Sequence, residues 1–203
     1  MKSYQYFAGG SWHDPDSGQW IDSENPATGE AWARIPDCNA ADVDRAVRAA
    51  HDCYYSGSWG RMHAAERGRI LRRIGDVIVR HADRLGSIET RDNGKLTKNI
   101  TPSLKSWQTE SFYYYAGMCD KFEGSLLPSE VPDMLNYMRW EPFGVCGLIT
   151  AWNSPLGVLI WKLAPALAAG NAVVIKPSEH ASASTLELMA VLEEADLPPG
   201  LVN

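Results

Sequence analysis

Three apolar runs crowd the stretch from Phe143 to Ile175 and leave it few ways to fold. Phe143–Thr150 and Ala172–Ile175 have strand length, whereas Ser154–Ala169 has helix length and carries Lys162 as its only charge. A strand without polar alternation is buried on both faces, as in a parallel sheet covered by helices. A helix that is apolar all round is buried in the same way. Pro165 is expected to kink that helix and Gly170-Asn171 to end it. A further helix is expected over about 181–195, and Leu201-Val202-Asn203 reads as a third strand just starting. The order strand, helix, strand, helix is the unit of a parallel sheet, so the expected fold class is α/β. Three residues do not complete a strand, and the sequence reads as cut inside a domain.

Upstream the pattern changes three times. Residues 1–36 carry turn chemistry at Gly9-Gly10 and Asp14-Pro15-Asp16-Ser17-Gly18. A third turn, Asn25-Pro26-Ala27-Thr28-Gly29-Glu30, lies between Trp20-Ile21 and Ala31–Ile35 in a β-hairpin pattern. Residues 37–122 are expected to form a helical layer. Asn39, with Asp42 three residues on, is an N-terminal cap signature, and Val43, Ala46, Val47 and Ala50 follow as one stripe. A second helix over His63–His81 turns Ile70, Leu71, Ile74, Val77 and Ile78 inward, and a third stops at Asn93-Gly94. A fourth begins near Pro102, with Leu104, Trp107, Ser111, Phe112 and Tyr115 on its stripe. Residues 123–141, punctuated by Gly124 and Pro128, are extended, and 142–203 hold the parallel unit.

Composition excludes several functions. The chain carries 19 Lys+Arg against 25 Asp+Glu, a net charge of −6, which argues against nucleic acid as a partner. The arginines between Arg61 and Arg84 interleave with an apolar stripe and read as a solvated helix face. Pro142–Trp161 is uncharged and long enough to span a bilayer, but Asn153-Ser154-Pro155 interrupts it, so no membrane span is expected. The start lacks the apolar core of a signal peptide, which makes a cytoplasmic location the default. Cys38, Cys53, Cys119 and Cys146 form no CxxC pair, and the five histidines are scattered, so no metal site is expected.

Ligands of open parallel sheets bind at the carboxyl ends of the strands. Thr150-Ala151-Trp152-Asn153-Ser154-Pro155 and Lys176-Pro177-Ser178-Glu179 occupy that place, although no GxGxxG fingerprint accompanies them. Lys176 and Glu179 can donate to and accept from adjacent ribose hydroxyls; a solvated strand end with a helix cap at Ser178 is the alternative. Asn153 reads either as a helix cap or as a donor to a developing oxyanion. None of the four cysteines has the neighbours of an activated nucleophile, so each reads as an inert thiol. Trp107, Phe112 and Tyr115 suit an apolar ligand lining as well as helix packing.

Together these segments resemble the NAD(P)-dependent aldehyde dehydrogenase superfamily. The resemblance is carried by Glu141–Pro155, by Trp161-Lys162-Leu163-Ala164-Pro165-Ala166-Leu167-Ala168-Ala169-Gly170-Asn171, by Lys176–Glu179 and by Leu197–Asn203. Asn25–Glu30 and Asp92-Asn93-Gly94-Lys95 add to it. It implies an incomplete Rossmann-like sheet at 142–203, the first half of an NAD-binding domain. Before it would come N-terminal β-hairpins (1–36), a helical layer (37–122) and an extended oligomerisation arm (123–141). It implies that Asn153 steadies a tetrahedral thiohemiacetal and that Ile149, Thr150, Ala151 and Trp152 line the cofactor. Lys176, Ser178 and Glu179 would bind it too, Lys176 and Glu179 at the adenosine ribose. The cofactor implied is NAD, with NADP as the alternative, since a Glu at 179 repels a 2′-phosphate. The family's Gly-Ser-Thr-rich loop, general-base Glu and nucleophilic Cys have no counterpart in these residues. The expectation is an N-terminal portion of a homo-oligomeric enzyme that oxidises an aldehyde, pairing through 124–140 and inactive as 203 residues alone. The alternative is a non-catalytic nucleotide-binding or subunit-pairing module.

Overall fold

The computed structural model describes residues 1–203. Its N-terminal segment consists of short strands: β1 (Lys2–Ser3), β2 (Tyr6–Ala8), β3 (Ser11–His13), β4 (Trp20–Asn25) and β5 (Glu30–Pro36). β2 and β3 pair across Gly9-Gly10, where both residues have positive φ (62° and 85°), the backbone a two-residue hairpin turn requires. β4 and β5 pair across the Asn25–Glu30 turn, and β1 joins the other edge of β5 in parallel.

Helices α1 (Ala40–Tyr55), α2 (Ala64–Arg80), α3 (Ala82–Asn93), α4 (Thr97–Leu104) and α5 (Trp107–Met118) follow. α1 opens on a reciprocal cap: Asn39 Oδ1 accepts the Ala41 N–H at 2.8 Å, and Asp42 Oδ2 accepts the Asn39 N–H at 2.9 Å. Its buried face is Asp42, Ala46, Ala50 and Cys53, not the expected stripe; Val43 and Val47 are exposed. Asp42 is drawn inward because it also accepts the Asp16 N–H, which rotates the buried face by one residue. α2 buries all five expected residues, and Gly94 (φ 78°) stops α3 in the left-handed region. Pro102 lies inside α4 rather than opening a helix; it removes one hydrogen bond, and the chain breaks later, at Lys105-Ser106. The new helix has its own phase. It buries Gln108, Thr109, Phe112 and Ala116 and leaves Trp107 half exposed.

The remaining elements are β6 (Ser125–Leu127), β7 (Asn136–Met138), β8 (Val145–Ile149), α6 (Pro155–Ala168), β9 (Ala172–Lys176) and α7 (Ala183–Leu192). β6 and β7 form an exposed hairpin. β8 and β9 are parallel, in register from Val145↔Ala172 to Ile149↔Lys176, and Val202 bridges to Val173 on the far edge of β9. The structure is thus the strand–helix–strand–helix α/β unit of a Rossmann-like fold. β8 is not buried on both faces as expected. Only Leu148 is buried, because β9 is its sole strand partner and its outer edge stays open. α6 runs on through Pro165 and exposes Trp161 and Lys162. No helix is long and apolar enough to cross a membrane.

One core joins both halves: Leu71, Ile74, Ile78, Leu85 and Phe112 pack with Leu156, Ile160, Leu163, Val173 and Leu188. Buried polar ties supplement it. Glu187 on α7 is 2% exposed and accepts from Tyr4 Oη at 2.7 Å, from Arg84 at 2.5 Å and from the Lys2 ammonium. Burial pushes its carboxyl up, but these three donors outweigh burial and hold it below the usual glutamate range. Its contribution is therefore present above about pH 4.5 and is lost as pH falls through the native value. Glu187→Ala should lower the unfolding free energy at pH 7 by about 1–3 kcal/mol in urea titrations. The gap to the unsubstituted chain should narrow under acid; a constant gap would remove the ionic account.

Candidate functional site

The two parallel strands end side by side. Ile149 is in register with Lys176, and the Thr150 N–H donates to the Lys176 carbonyl at 3.1 Å. The loop Thr150–Ser154 and the turn Lys176–Glu179 therefore leave the sheet from one rim, at the carboxyl ends of the strands. Ile149, Ala151, Trp152 and Asn153 are exposed there. Thr150 is buried, and its Oγ1 has no hydrogen-bond partner. Lys162, the single charge of α6, reaches back so that its ammonium donates to the Ile149 carbonyl at 2.6 Å. The N-cap position of α6 is Ser154, not Asn153, and Ser154 gives the helix no side-chain cap; its hydroxyl accepts from Lys95 at 3.0 Å. Asn153 thus stands one residue outside the helix, with its amide on the exposed rim.

On the second turn, Lys176 Nζ and Glu179 Oε2 lie 3.3 Å apart, both in solvent. The backbone N–H of Glu179, and then Lys176, hold this carboxyl below its usual range, so it is ionised at neutral pH. An ammonium and a carboxylate so placed match the vicinal hydroxyls of a ribose. The pair borders a cleft of about 350 Å³ that is also lined by Val43, Ala46, Ser182 and Leu186. Residues 149–153 do not line that cleft, so the structure brings the two segments to one rim without enclosing them in one cavity. Ser178 is buried and shapes the turn: its Oγ accepts the His180 N–H and its carbonyl accepts the Ser182 hydroxyl. It does not cap α7, whose N-cap position is Ser182. Trp107 and Trp161 form a half-exposed aromatic pair with centroids 5.7 Å apart, whereas Phe112 lies in the core.

Residues 12–203 match the model of the aldehyde dehydrogenase family. The chain belongs to that family. Among its relatives, (Z)-2-((N-methylformamido)methylene)-5-hydroxybutyrolactone dehydrogenase of Acinetobacter baylyi is 41% identical over all of this chain and 41% of its own length. Aldehyde dehydrogenase 1A1 of Rattus norvegicus is 40% identical over 97% of this chain and 39% of its own length. A betaine aldehyde dehydrogenase variant from Staphylococcus aureus, solved in complex with NAD+, superposes with a TM-score of 0.92 at 34% identity, covering 98% of this chain and 40% of that one. The chain spans about two fifths of the length of these relatives.

Two functional candidates were missed by periodicity. Glu89 and Asp92 are almost fully buried on α3 and face the starts of α6 and α7. The signal was present: both fall on the inward stripe of Ala82, Leu85 and Gly86, where a carboxylate must find a donor. The four cysteines are free. Burial raises the thiols of Cys53, to about 11, and of Cys119 and Cys146; Cys38 lies at the surface, where partial desolvation and the nearby Asp42, Asp37 and Asp16 raise its thiol. The structure gathers no group of three or more His, Cys, Asp or Glu that could hold a metal. Iodoacetamide at pH 7.5 should therefore alkylate the buried Cys53 at least ~10-fold more slowly than free cysteine. A Cys53 that reacts as fast as free cysteine in a mass-resolved time course would contradict this.

Proposed function

We propose that this chain supplies the cofactor-binding rim and the oxyanion-stabilising amide of an NAD-dependent enzyme that oxidises an aldehyde to a carboxylic acid. The observation that carries the reading is the β8/β9 register, which sets the Asn153 loop and the Lys176/Glu179 pair on one edge of the sheet. Lys176 and Glu179 would bind the adenosine ribose, with Ser178 holding the turn that presents them. Ile149–Trp152 would line the cofactor, partly through backbone groups. The NAD+ bound to the Staphylococcus aureus relative supports the choice of ligand. NAD, when bound, accepts hydride from the substrate carbon. Glu179 favours it over NADP, because an ionised carboxylate at the ribose repels a 2′-phosphate.

Asn153 would donate its side-chain amide to the oxygen on which charge develops, as an oxyanion-hole donor does. The thiolate that attacks the aldehyde and the general base would come from residues outside these 203. The exposed hairpin of β6 and β7, with Leu126, Leu135, Tyr137 and Trp140 in solvent, suits pairing with a second copy. The free thiols fit a reducing, cytoplasmic setting.

Two substitutions in the enzyme that contains this chain test the reading. Asn153→Ala should lower kcat by roughly 10²-fold or more, measured as aldehyde-dependent reduction of NAD; an unchanged kcat would remove the oxyanion role. Glu179→Ser should improve kcat/KM for NADP relative to NAD. An unaltered ratio would leave Glu179 as a strand-end charge, and an enzyme that reduces NAD with no aldehyde tested would defeat the whole reading.

A further inference from the structure

Two side chains at the end of α3 reach the loop that carries Asn153, and each takes a different polar group there. Asn93 Nδ2 donates to the Trp152 carbonyl at 3.3 Å. Lys95 Nζ donates to Ser154 Oγ at 3.0 Å. The two are themselves tied together, since Asn93 Oδ1 accepts the Lys95 N–H at 2.9 Å across the left-handed Gly94. The Glu89 carboxyl, 1% exposed, is buried behind them. The site behind the loop is tight. A Cβ on Gly157 would lie 2.9 Å from Ser154 Oγ and 3.4 Å from Gln108 Nε2.

We propose that Asn93 and Lys95 are positioning residues that clamp the chain on both sides of Asn153 and so set the direction of its amide. The proposal rests on the oxyanion role given to Asn153 above. Residues 152 and 154 are each held from the end of α3, while 153 is left in solvent. A loop residue without such restraint samples many rotamers and backbone states, and a donor acts on an oxyanion only when it is held in place beforehand. Burial pushes the Glu89 carboxyl up to about 7, against the pull of Lys95 and Asn93. Its ionised form therefore costs the fold stability, which falls as pH rises from about 4.5 to about 7. Replacing it with a neutral group of similar size should leave the fold intact.

Amide exchange and NMR relaxation on the 203-residue chain test the clamp directly. Asn93→Ala removes the donor to the Trp152 carbonyl, and Lys95→Met removes the donor to Ser154. Each should lower the order parameters of 152–154 and speed amide exchange there, with the amides of Leu71 and Ile74 in α2 unchanged. Unaltered exchange and order at 152–154 would overturn the proposal; if Asn93→Ala does not fold, Lys95→Met decides. In the full enzyme, Lys95→Met should reduce kcat with little change in KM. Combined with Asn153→Ala it should cost nothing further, because it acts through that amide, and an additive loss would overturn the positioning role. If Asn153→Ala alone leaves kcat unchanged, the oxyanion reading fails, while the exchange data still report on the clamp.

Discussion

Two carboxylates one turn apart on α3 are buried against the N-terminal ends of both helices of the parallel unit. Asp92 Oδ2 accepts the Ser184 N–H and the Ser184 hydroxyl, each at 2.9 Å, in the first turn of α7. Glu89 is buried beside the first turn of α6, where the Leu156 N–H favours its ionised form. Neither helix receives a side-chain cap from its own N-cap serine. Unpaired N–H groups and a partial positive charge gather at a helix start, and a carboxylate there satisfies both. The same two groups are costly to bury. Burial raises both carboxyls, and only the donors around them offset it. The helical layer and the sheet are therefore coupled electrostatically as well as through their shared core, and the loops that leave the strand ends inherit their position from that coupling.

The rim inherits its chemistry from the same arrangement. Parallel strands in register deliver their following loops to one edge, so Thr150–Ser154 and Lys176–Glu179 meet without sharing a sequence motif. The GxGxxG fingerprint is absent from these loops. Lys162 reaches back to the Ile149 carbonyl, and Asn93 and Lys95 reach the residues on either side of Asn153. Lys176 and Glu179 remain in solvent 3.3 Å apart, where the Glu179 backbone N–H and then Lys176 hold the carboxyl below its usual range.

Local features were legible wherever one residue type satisfies one local demand. The Asn39/Asp42 box, the Asn25–Glu30 turn, the Gly9-Gly10 hairpin and the Gly94 stop all rest on groups a few residues apart. The inward face of α2 was legible because five aliphatic residues recur at helical spacing with nothing to compete. The face of α1 was not, because Asp42 is claimed by the distant Asp16 N–H. The break at Lys105-Ser106 was misplaced to Pro102, since a single missing hydrogen bond bends or weakens a helix without having to end it. The openness of β8 follows from which strands lie beside it, and no apolar run records that.

The sequence by itself determined the order of elements, the parallel unit, the strand-end positions of Asn153, Lys176 and Glu179 and the family they belong to. Each of these is written in short-range pattern or in ordered motifs. The tertiary structure alone decided that Asn153 lies outside the α6 cap, that Ser178 is buried beneath the turn it shapes, and that Asn93 and Lys95 stand behind the loop that carries Asn153. Those facts depend on groups some sixty residues apart being packed within hydrogen-bonding reach. Periodicity along one chain carries no measure of such distances, whereas a buried charge without a local donor must find one across the fold.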